Sequence, residues 1–200
     1  MRLALFDYGT GNLHSLTKAL EQAGAFVAIT SDWDKALSLD GLVLPGVGAF
    51  GQAATSLPDD PSSIRMELEA GLPCLGICLG MQLLFEESEE SDGSGIGFLP
   101  GTVRRLNAPI VPQIGWNDVD VLPDPIFEGA KPLIAYYANS YVCVPSDETD
   151  AIAWSYYNDN RFVAGIRKSL TWGVQFHPEK SSAAGRQVIA NFVAATGEIS

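Results

Sequence analysis

Cys78, His177 and Glu179 are the residues of this chain with the greatest capacity for chemistry. Cys78 stands at the centre of Gly76-Ile77-Cys78-Leu79-Gly80, directly after the apolar run Leu72-Pro73-Cys74-Leu75. An apolar segment bounded by a proline reads as a short buried strand, and the apolar and acidic stretch after Gly80 reads as a helix. A cysteine with glycines at i−2 and i+2 in a strand-to-helix turn is the thiol form of a nucleophile elbow. Such a turn leaves no room for flanking side chains and lifts the apex residue clear of the sheet. At the start of a helix, the dipole and the unpaired N–H groups favour a thiolate. A buried cysteine in a glycine-kinked strand end would show the same residues.

A thiol nucleophile needs a base, and the base needs an orienting acceptor. The chain has only two histidines. His14 opens a helical stretch after a glycine-rich turn. His177 ends the apolar strand Trp172-Gly173-Val174-Gln175-Phe176 and is followed by Pro178 and Glu179. In an extended segment, residues i and i+2 point the same way, so the Glu179 carboxylate can hold the His177 imidazole in one tautomer. A strand-end histidine beside a solvated glutamate is the plainer alternative, and the company of Cys78 favours the catalytic one. Acyl transfer also needs N–H donors where the oxyanion forms. The Leu79 amide is one. Gly48, in the turn Pro45-Gly46-Val47-Gly48, is the candidate for the second.

These groups need a scaffold, and the first half of the chain supplies a regular one. Residues 2–7, 26–30 and 41–45 read as buried strands, and 13–24, 32–39 and 62–70 read as helices. The elbow is followed by a helix from 79 to about 87. Alternating buried strands and helices predict an α/β fold, three-layered, with a mostly parallel central sheet and helices on both faces. From Gly95 onward, glycine, proline and β-branched residues dominate. Segments 100–106, 111–121, 133–144, 151–157 and 162–167 read as partly antiparallel strands that extend the sheet, and 183–196 as a closing helix. The acidic break at 88–97 reads as a loop, so residues 1–200 are expected to form a single domain.

Composition narrows the function classes. The 200 residues carry 12 Lys+Arg against 24 Asp+Glu, a formal charge of −12, with the acids dispersed. That balance offers no footprint for nucleic acid or for an anionic membrane. Three cysteines, Cys74, Cys78 and Cys143, are an odd set without framework spacing and fit a reducing compartment. The N-terminal apolar run is too short for a signal peptide, and the glycine-broken run 74–85 is too short to span a bilayer. A cytoplasmic protein is expected, and the chemistry calls for no metal and no cofactor.

The elbow Gly76-Ile77-Cys78-Leu79-Gly80-Met81-Gln82, followed much later by His177-Pro178-Glu179, resembles the class I (triad) glutamine amidotransferases. Asp7-Tyr8-Gly9-Thr10-Gly11-Asn12-Leu13, Pro45-Gly46-Val47-Gly48-Ala49-Phe50, Gly115-Trp116-Asn117 and Gln175-Phe176-His177-Pro178-Glu179-Lys180-Ser181 are similar to the glutaminase subunits of imidazole glycerol phosphate synthases, enzymes of histidine biosynthesis. The resemblance covers nearly the whole chain. It implies that Cys78 attacks the glutamine carboxamide, that His177 moves protons and that Glu179 orients His177. It further implies an oxyanion hole from the amides of Leu79 and Gly48, the latter after a partner-triggered rearrangement of its peptide. Gly46, Gln82, Asn139, Ser140 and Tyr141 would hold the glutamine, although the subfamily has histidine where this chain has Asn139. Asn12, Trp116 and Lys180 would meet a cyclase subunit, forming a heterodimer. Two hundred residues leave no length for a (β/α)8 barrel, so that cyclase is expected as a separate protein receiving ammonia across a sealed interface.

Three other functions compete. A cysteine hydrolase or stress protein of similar fold would keep the elbow, but needs neither His177-Pro178-Glu179 nor the Pro45–Gly48 loop. An amidotransferase subunit of another synthase, of the anthranilate or aminodeoxychorismate type, shares the elbow, but the anthranilate type carries Pro-Gly-Pro-Gly in place of Pro45-Gly46-Val47-Gly48. A nucleotide-binding module would use Gly9 and Gly11 after the first strand, but His14 occupies the third glycine position and opposes close helix–strand packing.

Overall fold

The computed structural model describes residues 1–9, 13–46 and 48–197. The first half alternates β1 (Arg2–Phe6), α1 (His14–Gln22), β2 (Phe26–Thr30), α2 (Trp33–Leu37) and β3 (Gly41–Leu44). Then come α3 (Phe50–Ala54), α4 (Ser62–Glu69), β4 (Cys74–Ile77) and α5 (Leu79–Leu83). The second half is mainly strands: β5 (Glu87–Ser88), β6 (Gly101–Arg105), β7 (Gln113–Asp118), β8 (Asp120–Val121) and β9 (Ile134–Asn139). It continues through β10 (Tyr141–Pro145), β11 (Ala151–Tyr157), β12 (Asn160–Lys168) and β13 (Thr171–Val174) to the closing helix α6 (Ser182–Gly197).

The main sheet runs β2-β1-β3-β4-β13-β12-β11-β8. Pairing is parallel from β2 through β13 and antiparallel from β13 to β8. The predicted parallel sheet with an antiparallel extension is therefore what the chain forms. Its central strands β1, β3, β4 and β13 are buried almost throughout, which is why they read as unbroken apolar runs. Along β1, Leu3 and Leu5 enter one core with Leu16, Leu20 and Phe192, while Ala4 and Phe6 enter the other with Ile64, Leu68 and Met81. The α1 and α6 helices cover the first face and α2 to α5 the second. Asp32 caps α2 by accepting from the Lys35 amide at 3.3 Å. No described helix is long and apolar enough to cross a membrane.

Three elements differ from the sequence reading. The helix after Cys78 stops at Leu83 rather than near 87. The carbonyls of Leu83, Leu84, Phe85 and Glu86 accept instead from the amides of Ile96, Leu99, Gly97 and Gly95, so a returning segment caps them in place of a further turn. The segment 111–121 is two strands, broken at Val119, whose amide bonds to Leu133 across the gap. Likewise 133–144 divides at Ser140 into β9, paired with β7, and β10, paired with β6.

Gly76 and Gly80 set how closely α5 lies on the sheet. A Cβ on Gly80 would run into the Leu44 carbonyl oxygen of β3, and one on Gly76 would lie 2.8 Å from the Gly80 carbonyl carbon. We predict that Gly80→Ala lowers the unfolding free energy by about 1–3 kcal/mol, the usual cost of overpacking against backbone. Urea denaturation measures this, and an unchanged midpoint would contradict the close packing.

Candidate active site

The end of β4 delivers Cys78 in a strained conformation. Its φ of 48° and ψ of −103° lie in a region that costs a non-glycine residue energy. Long-range bonds hold it there: the Cys78 amide donates to the Val174 carbonyl of β13 at 2.7 Å, and its carbonyl accepts from the Gln82 amide at 3.1 Å. The turn is tight because residues 76 and 80 carry no side chain. The amide of Leu79, in the first turn of α5, has no intrahelical acceptor and, among the described residues, no backbone acceptor elsewhere.

The next strand along supplies the other two groups. β13 lies beside β4 in parallel register, with Val174 opposite Ile77, so the residues that follow it emerge beside Cys78. His177 is 3 % exposed. Its amide donates to the Tyr136 carbonyl at 2.9 Å and its carbonyl accepts from the Ser181 hydroxyl at 2.7 Å. Pro178 turns the chain into a short 3-10 segment, Pro178–Lys180, which brings the Glu179 Oε1 to 3.0 Å from the His177 Nδ1. The second Glu179 oxygen is buried without a hydrogen-bond partner among the described residues. The imidazole faces Cys78 as well. Burial opposes its charge, but hydrogen bonds to the Cys78 and Glu179 side chains outweigh that and raise its pKa to about 9. The thiols of Cys74 and Cys143 are buried, and burial pushes both up, as expected of packing residues.

Gly46 closes the other side of this pair. A Cβ there would lie 2.9 Å from the Cys78 Cβ and 3.1 Å from the His177 Cε1, so only glycine allows the Pro45–Gly46 backbone to approach so closely. A cavity of about 300 Å³ opens over the sulfur. Gly46, Gly48, Cys78, Leu79, Gln82 and His177 line it. So do Glu90, Ala138, Asn139, Ser140, Tyr141 and Lys180. Gly48 has φ +112°; the neighbouring Val47, which shares its peptide, lies outside the described residues. The Asn139 Nδ2 donates to the Tyr141 carbonyl at 3.1 Å, so this side chain ties its own segment together.

Every residue that the sequence singles out for nucleophile, base, oxyanion hole or substrate contact therefore lies at this one cavity. Trp116 lies apart, on β7, 54 % exposed and edge-on to the Tyr136 ring. Lys180 lines the cavity and also reaches over Tyr136, so it belongs to both places. Asn12 lies outside the described residues. His14 is exposed on α1. Glu90 was not legible. It lies within the acidic run 86–90, and only the bond it accepts from the Phe50 amide at 2.8 Å carries it to the cavity.

A cysteine at a glycine-framed elbow and a histidine–glutamate pair, on a mostly parallel sheet, define the class of α/β proteins built for cysteine acyl chemistry. Comparison with known proteins makes the assignment specific. The family model "glutamine amidotransferase class-I" matches residues 4–196, and the chain belongs to that family. The imidazole glycerol phosphate synthase subunit HisH of Synechococcus elongatus is 43 % identical over 201 residues, covering 96 % of this chain and 92 % of that protein. The subunit of the same name from Corynebacterium glutamicum is 41 % identical over 204 residues, covering 96 % and 97 %. Among solved structures, PurLQS from Thermotoga maritima shares the fold with TM-score 0.78 at 19 % identity, covering 97 % of this chain and 98 % of that one. A crystal structure of a glutamine amidotransferase shares it with TM-score 0.76 at 18 % identity, covering 98 % and 99 %.

The His177 environment makes stability depend on pH. A group whose pKa is raised by folding binds its proton more tightly in the folded chain. Its stabilisation is complete below the ordinary value of 6.5 and is lost as pH rises through about 9. Urea midpoints across that window are expected to fall with rising pH, and to fall less in Glu179→Gln, which lacks one of the two partners. Parallel profiles for the two proteins would contradict this.

Proposed function

We propose that the chain is a glutaminase subunit that hydrolyses glutamine through a cysteinyl thioester at Cys78. It hands the ammonia to a separate cyclase that makes imidazole glycerol phosphate in histidine biosynthesis. The observation that carries the reading is the imidazole of His177, bonded to Glu179 on one side and facing the Cys78 thiol on the other, at the floor of a cavity sized for an amino acid. The identity of about 40 % to HisH subunits over nearly the full length supports the choice of synthase.

The thiol proton resides on His177, whose pKa is raised, and the Cys78 thiolate attacks the carboxamide carbon. The amides of Leu79 and Gly48 receive the developing oxyanion. Collapse expels the amine, which leaves as ammonia with the proton His177 returns. Water then attacks the thioester, giving up a proton to His177, and glutamate departs as the sulfur is regenerated. Glu179 keeps the Nε2 of His177 directed at the reacting atoms and stabilises the imidazolium. Gln82 and the Asn139-Ser140-Tyr141 segment hold the substrate. Glu90 and Lys180, opposite charges along the cavity, suit the α-ammonium and α-carboxylate of free glutamine.

The cyclase would dock on the face around Trp116. There β7 and β9 turn Ile114, Trp116 and Ile134 outward, exposed by 68 %, 54 % and 46 %, with Lys180 beside Tyr136; Asn12, outside the described residues, is assigned to the same partner. One amidotransferase domain over residues 1–200, working in the cytoplasm, completes the reading.

The test is a glutaminase assay with the cyclase and its nucleotide substrate present. Cys78→Ala is expected to abolish glutamine-dependent synthesis while ammonium salts still support the partner. Loss of the ammonium-driven reaction as well would assign the cysteine to docking instead. Glu90→Gln is expected to raise KM for glutamine about tenfold, the scale of one charge-assisted hydrogen bond, with kcat largely kept. An unchanged KM would remove Glu90 from the substrate site.

A further inference from the structure

Gln175 is the residue between β13 and His177 that the mechanism above does not use. It is fully buried and does not line the cavity. Its backbone amide is spent on the Ala164 carbonyl at 2.9 Å. Its side chain sits between the nucleophile and a substrate-holding residue. The Nε2 lies 3.4 Å from the Cys78 sulfur, and the Oε1 accepts from the Gln82 Nε2 at 3.4 Å.

The orientation of this amide follows from its neighbours. The Gln82 Nε2 also donates to the Tyr141 carbonyl at 3.3 Å. A carbonyl only accepts, so the Gln82 atom there is the nitrogen. The Gln175 atom facing that nitrogen must then be its oxygen, which leaves the Gln175 NH2 facing the sulfur. A thiol is a poor acceptor and a thiolate a good one, so a fixed N–H donor favours the anion. A neutral donor does this without adding charge to a site where Cys78 is only 6 % exposed.

We infer that Gln175 is a positioning residue: its amide, clamped by Gln82, donates a hydrogen bond that holds the Cys78 thiolate in its attacking orientation. The role rests on the glutaminase reading for its bearing on turnover, but not for its bearing on the sulfur. The other titratable groups near the sulfur are His177 and Glu179 beyond β13, Cys143 on β10, and Glu90, Tyr141 and Lys180 along the cavity. All are retained in the variants below.

The test compares the wild type with Gln175→Met, of similar length without the donor, and Gln175→Leu, which also lacks the donor and differs in shape. Iodoacetamide alkylation of Cys78, located by peptide mass, is followed against pH on the intact protein. Turnover is measured with the cyclase bound. In Gln175→Met the alkylation profile is expected to move about one unit to higher pH, and kcat to fall about tenfold with KM within about twofold, the scale of one hydrogen bond to a charged group. Gln175→Leu is expected to move the profile in the same direction. A folded variant whose profile superimposes on the wild type overturns the inference, as does a raised KM with kcat intact. A wild type that is alkylated at Cys78 but never consumes glutamine would instead fail the glutaminase reading alone.

Discussion

The site exists because α5 is pressed onto the sheet closer than any side chain at residue 80 would allow. The contact between Gly80 and the Leu44 carbonyl fixes where the helix begins, and the helix start fixes where Cys78 must turn. The positive φ of Cys78 is the strain stored by that arrangement, and the bond from its amide to Val174 holds the turn closed. Because Val174 is on β13, the same bond locks the nucleophile to the strand that delivers Gln175, His177 and Glu179. Parallel pairing of β4 with β13 thus converts a separation of about a hundred residues in sequence into adjacency at one sheet edge.

Around that edge the polar groups form two opposed chains. One runs from Glu179 to the His177 imidazole, which faces the sulfur. The other runs from the Tyr141 carbonyl through the Gln82 and Gln175 amides to the same atom. In the proposed reaction the first carries a proton and the second only orients. A third link leaves the site altogether. The Tyr136 carbonyl accepts from the His177 amide, its amide donates to the Ser181 hydroxyl, and its ring lies beside Trp116 and Lys180. The outward face of β7 and β9 is therefore one residue removed from the imidazole, which gives a bound partner a short path to the catalytic pair.

The parallel half of the fold was legible because strands buried on both faces need unbroken apolar runs, and helices between them need an apolar stripe and an end signal. The pairing of Cys78 with His177 and Glu179 was signalled by glycine spacing and sequence nearness, but the contact of His177 with Glu179 is made by the 3-10 turn after Pro178 and not by the extended i, i+2 geometry read from the sequence. What was not legible came from distant backbone. Nothing near Leu83 marks the end of α5, since the capping amides arrive from Gly95 to Leu99. Val119 breaks a β-rich stretch because Leu133, fourteen residues on, takes its amide. Glu90 reaches the cavity through Phe50, forty residues away. Gln175 stood in a recognisable motif, but its role follows only from which way the Gln82 amide faces.

The central claim is that the Cys78 sulfur becomes acylated by glutamine. The most direct measurement is peptide mass spectrometry of enzyme acid-quenched during glutamine turnover with the cyclase bound. The account predicts an adduct with the mass of glutamine less ammonia on the peptide carrying Cys78, absent from Glu179→Gln quenched before its first turnover. Glutamine consumption with the adduct on another residue, or with Cys78 unmodified at every quench time while glutamate accumulates, would contradict it.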